Sequence, residues 1–371
     1  MNNVSSIDVE YSKWPHLIAV VLVCVTFPLI WVGGLVTTYD AGMAVPDWPT
    51  TYGYNMFLYP ISTWISAPWD LFIEHGHRLL GSLAGLITIA LNVAIWRCDS
   101  RQWMRWVGGI ALALVISQGV LGGMRVRMNS TDFARAHGCT GPLFFATCVS
   151  ICVMTSRFWL RKVEGAKIEF QRKWIVGGWV LVGLAYFQLV LGAHLRHPGV
   201  TWTPMQFRAF VVFHLVIALV LMVQVLSVAN VGRKLQSCYR IPSLILLALV
   251  IGQILLGVAT WRAKYGWPTF VPIVAEVNAD RPFEIAIRNT LAGATVQSES
   301  MVQALTVTGH VAMGSLILAT AVCYATRLTR GFARSSQSVV ATDSPYDADQ
   351  SGTMIRGGYV PAFAGAVGGA T

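Results

Sequence analysis

Long apolar runs alternate with short polar segments along almost the whole chain. Eight of the runs approach the length of about 20 residues that a helix needs to cross about 30 Å of hydrocarbon. They lie at 16–38, 75–96, 106–124, 137–156, 174–194, 209–231, 242–261 and 301–326. The pattern predicts an all-α polytopic membrane protein with eight transmembrane helices.

The runs also repeat in sequence. The third, fifth and seventh end in a Gln-x-x-x-Gly motif, at 118–122, 188–192 and 253–257, and the first keeps the glycines without the glutamine. Each is followed by an outer loop and a histidine-bearing run. We therefore predict four helical hairpins that form two pseudo-symmetric four-helix bundles. The N-terminal half covers 1–160 and the C-terminal half 161–330, and the Ser-, Gly- and Ala-rich segment 331–371 is predicted to be a disordered tail.

Composition and charge agree with this interpretation. The chain is 55% hydrophobic and only 12% charged, and its net charge is +10. Lys and Arg concentrate in alternate loops, whereas the first outer loop, 39–74, contains neither. By the positive-inside rule both termini are expected to be cytoplasmic. The basic balance then reflects topology, and no nucleic-acid partner is expected. None of the seven cysteines lies in an outer loop, so no structural disulfide is expected.

Single histidines recur toward the outer end of the second helix of each hairpin. They are His77, His137, His214 and His310, and the residues four positions later are Gly81, Gly141, Ala218 and Gly314. A lone histidine in a span more often forms a helix–helix hydrogen bond, but four repeats favour ligands. Paired imidazoles from facing helices hold haem in bundles, and a small residue one turn away would clear space for a flat porphyrin. Zinc also binds imidazole, but it does not require those small residues.

The second run opens with Glu74-x-x-His77-Arg78, which places a carboxylate, an imidazole and a guanidinium on one helix face. Such groups are costly at a membrane boundary and indicate function. Glu74 either moves protons or simply pairs with Arg78. His75 is an alternative to His77 as the ligand, although the spacing to Gly81 favours His77.

Arginines on the outer side run against the positive-inside trend. They are Arg78, Arg125, Arg127, Arg135, Arg196 and Arg208. Arg135 precedes His137 closely, and Arg208 precedes His214. Bidentate pairing with the carboxylates of a bound haem would explain them, and ordinary solvated loop charge is the alternative. We select Arg78, Arg135 and Arg208 as candidate cofactor-binding residues.

These motifs, together with the loop Ala-Gly-Met-Ala-Val-Pro-Asp-Trp-Pro at 41–49, resemble the haem A synthase family over nearly the whole chain. That family oxidises the C8 methyl group of haem O to the formyl group of haem A for cytochrome oxidase. The resemblance implies that Glu74, His77 and His137 form the catalytic site for the substrate haem. It also implies that His214 and His310 bind a haem b that relays electrons. The chain departs at Val45, where many relatives have a cysteine.

The resemblance further implies a membrane setting and partners. The histidine sites would face the outer side of a bacterial-type plasma membrane, or of the inner mitochondrial membrane in a eukaryote. The partners would be haem O, the lipid bilayer, a quinol or other electron donor, haem O synthase and cytochrome oxidase assembly factors. Two other interpretations stay open: a dihaem cytochrome b-like electron carrier without haem modification, and a transporter with broken helices. Glu74 beside His77 distinguishes the enzyme, because a carrier does not need it.

Overall fold

A computed structural model describes residues 12–160, 171–199, 201–265, 298 and 300–342. The helices in these ranges are α1 (Trp14–Thr38), α2 (Ile61–Ile65), α3 (Trp69–Cys98), α4 (Gln102–Met128), α5 (Thr131–Thr155), α6 (Arg157–Leu160), α7 (Arg172–Arg196), α8 (Pro204–Arg233), α9 (Ser237–Tyr265) and α10 (Met301–Thr342). Eight of them, all but α2 and α6, are long and apolar enough to cross a membrane. The predicted all-α fold with eight spans is confirmed.

The helices are longer than the apolar runs that predicted them. Helix α3 begins at Trp69 rather than at residue 75, and α8 begins beyond a capping box in which Thr203 and Gln206 satisfy each other's backbone N–H groups. Polar and aromatic residues near the membrane surface still form helix, because helical hydrogen bonding does not depend on an apolar side chain. Apolar runs therefore mark the centres of these helices and not their ends.

The predicted disordered tail is wrong at its start, because residues 331–342 belong to α10. A single glycine at 331 costs a helix only about 1 kcal/mol, and Phe332 packs against the core of the second bundle. The rest of the tail lies outside the described residues. So do most of the last outer loop, 262–300, and most of the predicted join, 157–173.

The long helices pack as two groups. Helices α1, α3, α4 and α5 form the N-terminal bundle, and α7, α8, α9 and α10 form the C-terminal bundle. The core of the first contains Leu22, Leu91, Ile95, Met104 and Ile151. The core of the second contains Leu181, Val225, Leu246, Leu318 and Tyr324. Because lipid tails are as apolar as leucine, close packing and hydrogen bonds between helices hold such bundles together.

The two bundles meet where α1 and α5 pack against α10. At this junction a Cβ atom on Gly34 would lie 2.8 Å from Thr308 Cγ2. The hydroxyl groups of Thr38 and Thr308 are 3.0 Å apart, and both residues are fully or almost fully buried. Arg196, at the end of α7, donates to the backbone oxygen of Gly34 at 2.8 Å. At the junction, Gly34 has no side chain that would keep the helices apart, and hydrogen bonds link the two bundles.

The loop between α1 and α3 has more structure than its sequence predicted. It contains a short hairpin, in which β1 (Thr50–Thr51) pairs antiparallel with β2 (Tyr54–Asn55). The Asp47 carboxylate accepts from the N–H groups of Tyr52 at 2.8 Å and Gly53 at 2.9 Å. Burial alone would raise the pKa of Asp47, but these hydrogen bonds outweigh it and lower the pKa. Gly53 has φ +80°, a conformation that favours glycine.

Candidate functional site

Each of the four predicted ligand histidines packs against a glycine of the preceding long helix. The pairs are His77 with Gly33, His137 with Gly122, His214 with Gly192 and His310 with Gly257. A Cβ atom at Gly33 would come within 2.7 Å of His77 Cε1, and one at Gly257 within 3.1 Å of His310 Cε1. The glycines of the repeated sequence motif therefore leave space for the imidazole rings, because a side chain at these positions would contact the rings.

Three of the small residues four positions after the histidines, Gly81, Gly141 and Gly314, lie beside side chains of another helix. The side chains that approach them belong to the same preceding helices. A Cβ atom at Gly81 would lie 4.0 Å from Leu29 Cδ1, and one at Gly141 would lie 3.3 Å from Gln118 Oε1. At Gly314 the neighbour is Gln253 Nε2, at 3.6 Å. These small residues make room for a leucine or glutamine side chain next to the histidine.

In the N-terminal bundle the structure brings His77 and His137 together. Their ring centroids are 6.3 Å apart, and the ring planes are nearly perpendicular, at 85°. His137 Nδ1 lies 3.2 Å from the backbone oxygen of Gln118. His77 Nδ1 is buried without a hydrogen-bond partner. Helices α3 and α5 thus direct two imidazoles toward the same interior region.

In the C-terminal bundle His214 lies on α8 and His310 lies on α10, and each packs against a glycine of the helix before it. The Nδ1 atoms of both are buried without a hydrogen-bond partner. His214 Nε2 lies 3.2 Å from the side-chain nitrogen of Gln188. Like His77, both histidines pack on a glycine and have a buried Nδ1 atom.

His75 points elsewhere, although only Gly76 separates it from His77 in the sequence. Its Nδ1 is 3.1 Å from Thr51 Oγ1 in the loop hairpin. Its ring packs against Tyr59 and Trp64, with centroids 5.1 and 5.4 Å away. His75 is therefore occupied in holding the loop, whereas His77 is the neighbour that meets His137.

Arg78 fastens the same loop to α3. Its Nε donates to Glu74 Oε1 at 3.1 Å, and the two side chains are only 8% and 5% exposed. Its terminal nitrogens donate to three loop carbonyls, those of Val45, Asp47 and Thr50. Four of the five guanidinium N–H groups are thereby engaged. The predicted cofactor contact of Arg78 remains a prediction, while its contacts with the loop are direct.

We expect Arg78→Ala to loosen this loop. Removing one partner of a buried ion pair typically costs about 3–5 kcal/mol, and three loop carbonyls would lose their donor as well. Chymotrypsin cleavage within 41–60, followed by mass spectrometry, should be clearly faster than in the native protein. Arg97→Ala is the matched control, because Arg97 is an exposed arginine at the other end of α3. Equal cleavage of Arg78→Ala and native protein would contradict the assigned role.

The other two candidate arginines are placed less directly. Arg135 pairs with the exposed Asp132 at 2.9 Å, while its Nε is buried without a hydrogen-bond partner. Arg208 lies in the N-terminal part of α8, on the same helix as His214. A cofactor-binding role remains a prediction for both residues.

Two arginines outside the predicted site are central to the structure. Arg125 of α4 lies against Gly42 of the loop so closely that a Cβ atom there would collide with the guanidinium. Arg196 bonds to Thr38 Oγ1 at 3.0 Å as well as to Gly34. Burial, together with the positive charge of Arg196, lowers the pKa of the adjacent His197 to about 3. The only sequence signal for these arginines is their position on the outer side, against the charge trend.

Metal-ligand geometry gives one further observation. Within the ranges that the structure describes, no group of three or more His, Cys, Asp or Glu residues is arranged to hold a metal ion. The two histidine pairs remain the predicted ligands.

Comparison with known proteins places the chain in a family. Residues 16–203, about half of the chain, match the COX15-CtaA family, described as cytochrome oxidase assembly protein. This region includes the loop, Glu74, and the two histidines predicted as ligands in the N-terminal bundle, His77 and His137.

Curated relatives carry one name, "Heme A synthase". The chain is 26% identical to that of Shouchella clausii over 253 residues, 61% of this chain and 80% of the relative. It is 29% identical to that of Geobacillus kaustophilus over 28% of this chain and 31% of the relative. For Symbiobacterium thermophilum the identity is 26%, over 46% of this chain and 55% of the relative. The chain belongs to the COX15-CtaA family of cytochrome oxidase assembly proteins, and the resemblance seen in its sequence is confirmed.

Proposed function

We propose that this protein is a membrane oxidoreductase that converts haem O to haem A by oxidising the C8 methyl group to a formyl group. Support comes from the family match and from the shared name of the relatives. The single observation that carries the proposal is the meeting of His77 and His137 beside the buried Glu74. Glu74 and His77 belong to the Glu-x-x-His-Arg motif, which is part of the resemblance to the family.

The spacing of His77 and His137 fits a haem iron between them. A metal–imidazole bond is roughly 2 Å long, and the ring centre lies about 1 Å further on. Two such ligands on opposite sides of one iron therefore put the ring centroids about 6 Å apart. The distance in this protein is 6.3 Å. This distance supports the proposal that His77 and His137 would hold one iron between them.

Histidine nitrogen atoms without hydrogen-bond partners also support the proposal. The Nδ1 atoms of His77, His214 and His310 are buried without hydrogen-bond partners. Leaving a buried polar atom unsatisfied costs about 1–3 kcal/mol. Such atoms occur on three of the four histidines proposed as ligands, as expected if these side chains bind a further group.

We assign the substrate haem to His77 and His137, and an electron-relaying haem b to His214 and His310. A haem held by each histidine pair would supply single-electron transfer there. The histidines orient each haem, and the glycines behind them keep the helices close enough to do so. Arg135 and Arg208 would neutralise the propionates, to which guanidinium binds in a bidentate manner.

Glu74 is assigned a proton-transfer role at its carboxylate. It is 4% exposed and one helical turn before His77, so it lies at the edge of the substrate site and not in bulk water. Arg78 donates to Glu74 Oε1 and holds the carboxylate in place. A positioned carboxylic acid of this kind contributes about 10²–10⁴-fold to a rate.

Topology follows from the basic residues. Arg97, Arg101 and Arg105 lie at the end of the bundle opposite His77. By the positive-inside rule we propose that this end is cytoplasmic and that the histidines face the outer side. A quinol dissolved in the bilayer is the electron donor that the membrane setting suggests. The continuity of the eight long helices within the described residues speaks against a transporter with broken helices.

The test is to purify the protein from cells that make haem O and to chromatograph its extracted haems. We expect haem A and haem B from the native protein, and no haem A from the same cells without it. Haem B alone would support the dihaem carrier instead. Absence of any haem would remove both interpretations.

A further inference from the structure

The outer loop between α1 and α3 contains a long stretch without a charged side chain. Residues 48–69 include no Asp, Glu, Lys, Arg or His. Soluble domains are about 25% charged, so a water-facing stretch of this length would contain about five charged residues. The turn between α4 and α5, at the same end of the molecule, has Arg127 and Asp132 beside it. The composition of 48–69 therefore favours an apolar environment for part of the loop.

This stretch has two apolar sides, and α3 covers one of them. On the covered side, Tyr59 and Trp64 pack against His75. Trp64 Nε1 also donates to the backbone oxygen of Phe72 at 3.1 Å. The large side chains on the other side are 60–74% exposed, and we call them the outer patch: Phe57, Leu58, Ile61 and Ile65. The two isoleucines are four positions apart on α2 and so share one face.

The loop descends along the side of α3. Thr51 reaches His75 near the outer end of the helix, whereas Met56 Sδ lies 4.0 Å from the hydroxyl oxygen of Ser82. On α3 these two contacts are seven positions apart, which is about 10 Å at 1.5 Å per residue. Tyr59 is again beside His75. The segment between Thr51 and Tyr59 therefore dips toward the middle of the span and returns.

The position of Ser82 places the lowest part of the loop at the level of hydrocarbon. Arg97 lies in the last turn of α3, at the opposite end. A helix needs about 20 residues to cross the hydrocarbon, and 20 positions before Arg97 is about the position of His77. Ser82 is five positions further in, about 7 Å below that boundary. The exposed Leu83 and Leu86 of α3 lie at this depth or deeper.

We propose that the outer patch is embedded in the bilayer leaflet on the His77 side, with lipid acyl chains as its partner. Burying a large apolar side chain contributes about 1.5–3 kcal/mol. The apolar faces of interfacial helices enter a membrane by about 5–10 Å, which agrees with the depth of Ser82. The patch also continues the lipid-facing surface of α3. The loop is then held by Arg78 and His75 on one side and by lipid on the other. This inference needs only the membrane spans and does not rest on the proposed function.

The test uses a lipid that labels whatever touches its acyl chain. The purified full-length protein is reconstituted into phosphatidylcholine vesicles that contain a phosphatidylcholine with a diazirine in the middle of one chain. After irradiation, digestion and mass spectrometry give the labelled peptides. We expect residues 54–65 to be labelled to a similar extent as 83–93, the part of α3 that exposes Leu86, Ile89 and Val93. The turn at 128–132 should remain unlabelled.

The variant Leu58→Asp tests the patch itself. Because Leu58 is exposed, the fold should survive, and labelling of 83–93 reports that the spans remain inserted. Aspartate is disfavoured and leucine favoured in a membrane, so labelling of 54–65 should fall about tenfold or more. Ser66→Asp is the matched control. It adds the same charge to the same loop, but close to the start of α3, and should leave the labelling unchanged.

Two results would overturn the proposal. One is a native protein in which 83–93 is labelled and 54–65 is not; chemical crosslinking of two chains in the same vesicles would then identify a second copy as the occupant of the patch. The other is equal labelling of 54–65 in the native protein and in Leu58→Asp. If Leu58→Asp does not insert, the labelling of the native loop decides alone. Neither result depends on bound haem, so the proposed function would be unaffected.

Discussion

His214→Ala is expected to leave the protein with one haem instead of two and to abolish haem A formation. The alanine removes an imidazole that the structure directs, with His310, into the interior of the C-terminal bundle. Loosening a ligand by removing its hydrogen-bond partner already lowers metal affinity by up to about 100-fold, and removing the ligand itself should lower it further. The measurement is haem content per polypeptide by pyridine haemochrome, together with chromatography of the extracted haems.

His16→Ala is the control for this loss. His16 is also a span histidine, but it lies at the opposite end of α1 from Gly33 and contacts Thr155 Oγ1 at 3.2 Å. Its replacement should leave both haems bound. Retention of two haems in His214→Ala would show that His214 is a helix–helix contact and not a ligand.

Glu74→Gln is expected to retain both haems while haem A formation falls about 10²–10⁴-fold, the usual contribution of a positioned acid or base. The amide oxygen can still accept from Arg78 Nε, so the loop and the fold should survive. The glutamine cannot take up or release a proton. The measurement is the rate of haem A formation in membranes, normalised to the low-spin haem spectrum.

Asp70→Asn provides the comparison, because Asp70 is an exposed acid in the first turn of the same helix. It should change the rate little. Loss of all haem from Glu74→Gln would show that the carboxylate is structural, and an unchanged rate would show that no proton passes through it.

Hydropathy was sufficient to predict the number and order of the long helices. It could not predict their ends, because helical hydrogen bonds continue through polar residues such as those preceding His75 in α3. At Gly331 the sequence misled in the opposite direction, because glycine favours the end of a helix and yet Gly331 lies inside α10. Packing of Phe332 on the core decides that case, and packing is not visible in a single sequence.

The candidate site was predictable only in part. The histidines and the Gln-x-x-x-Gly repeat were visible in the sequence, but their contact was not, since Gly33 and His77 are separated by a long loop. The choice between His75 and His77 needed the positions of Thr51 and His137. The loop function of Arg78 was hidden for another reason: it binds backbone carbonyls, and these carry no residue-specific signal.

The tight contact between Gly34 and Thr308 has a consequence for kinetics. A methyl group at Gly34 would meet Thr308 at 2.8 Å, so a larger residue at this position would push the two bundles apart. Under the proposed assignment each bundle would hold one redox centre, and electron tunnelling between them would weaken exponentially with distance, so that close packing at this seam would keep their separation short and constant. Transfer between them would proceed with a single rate constant, and not with the spread of rates that a hinged molecule gives.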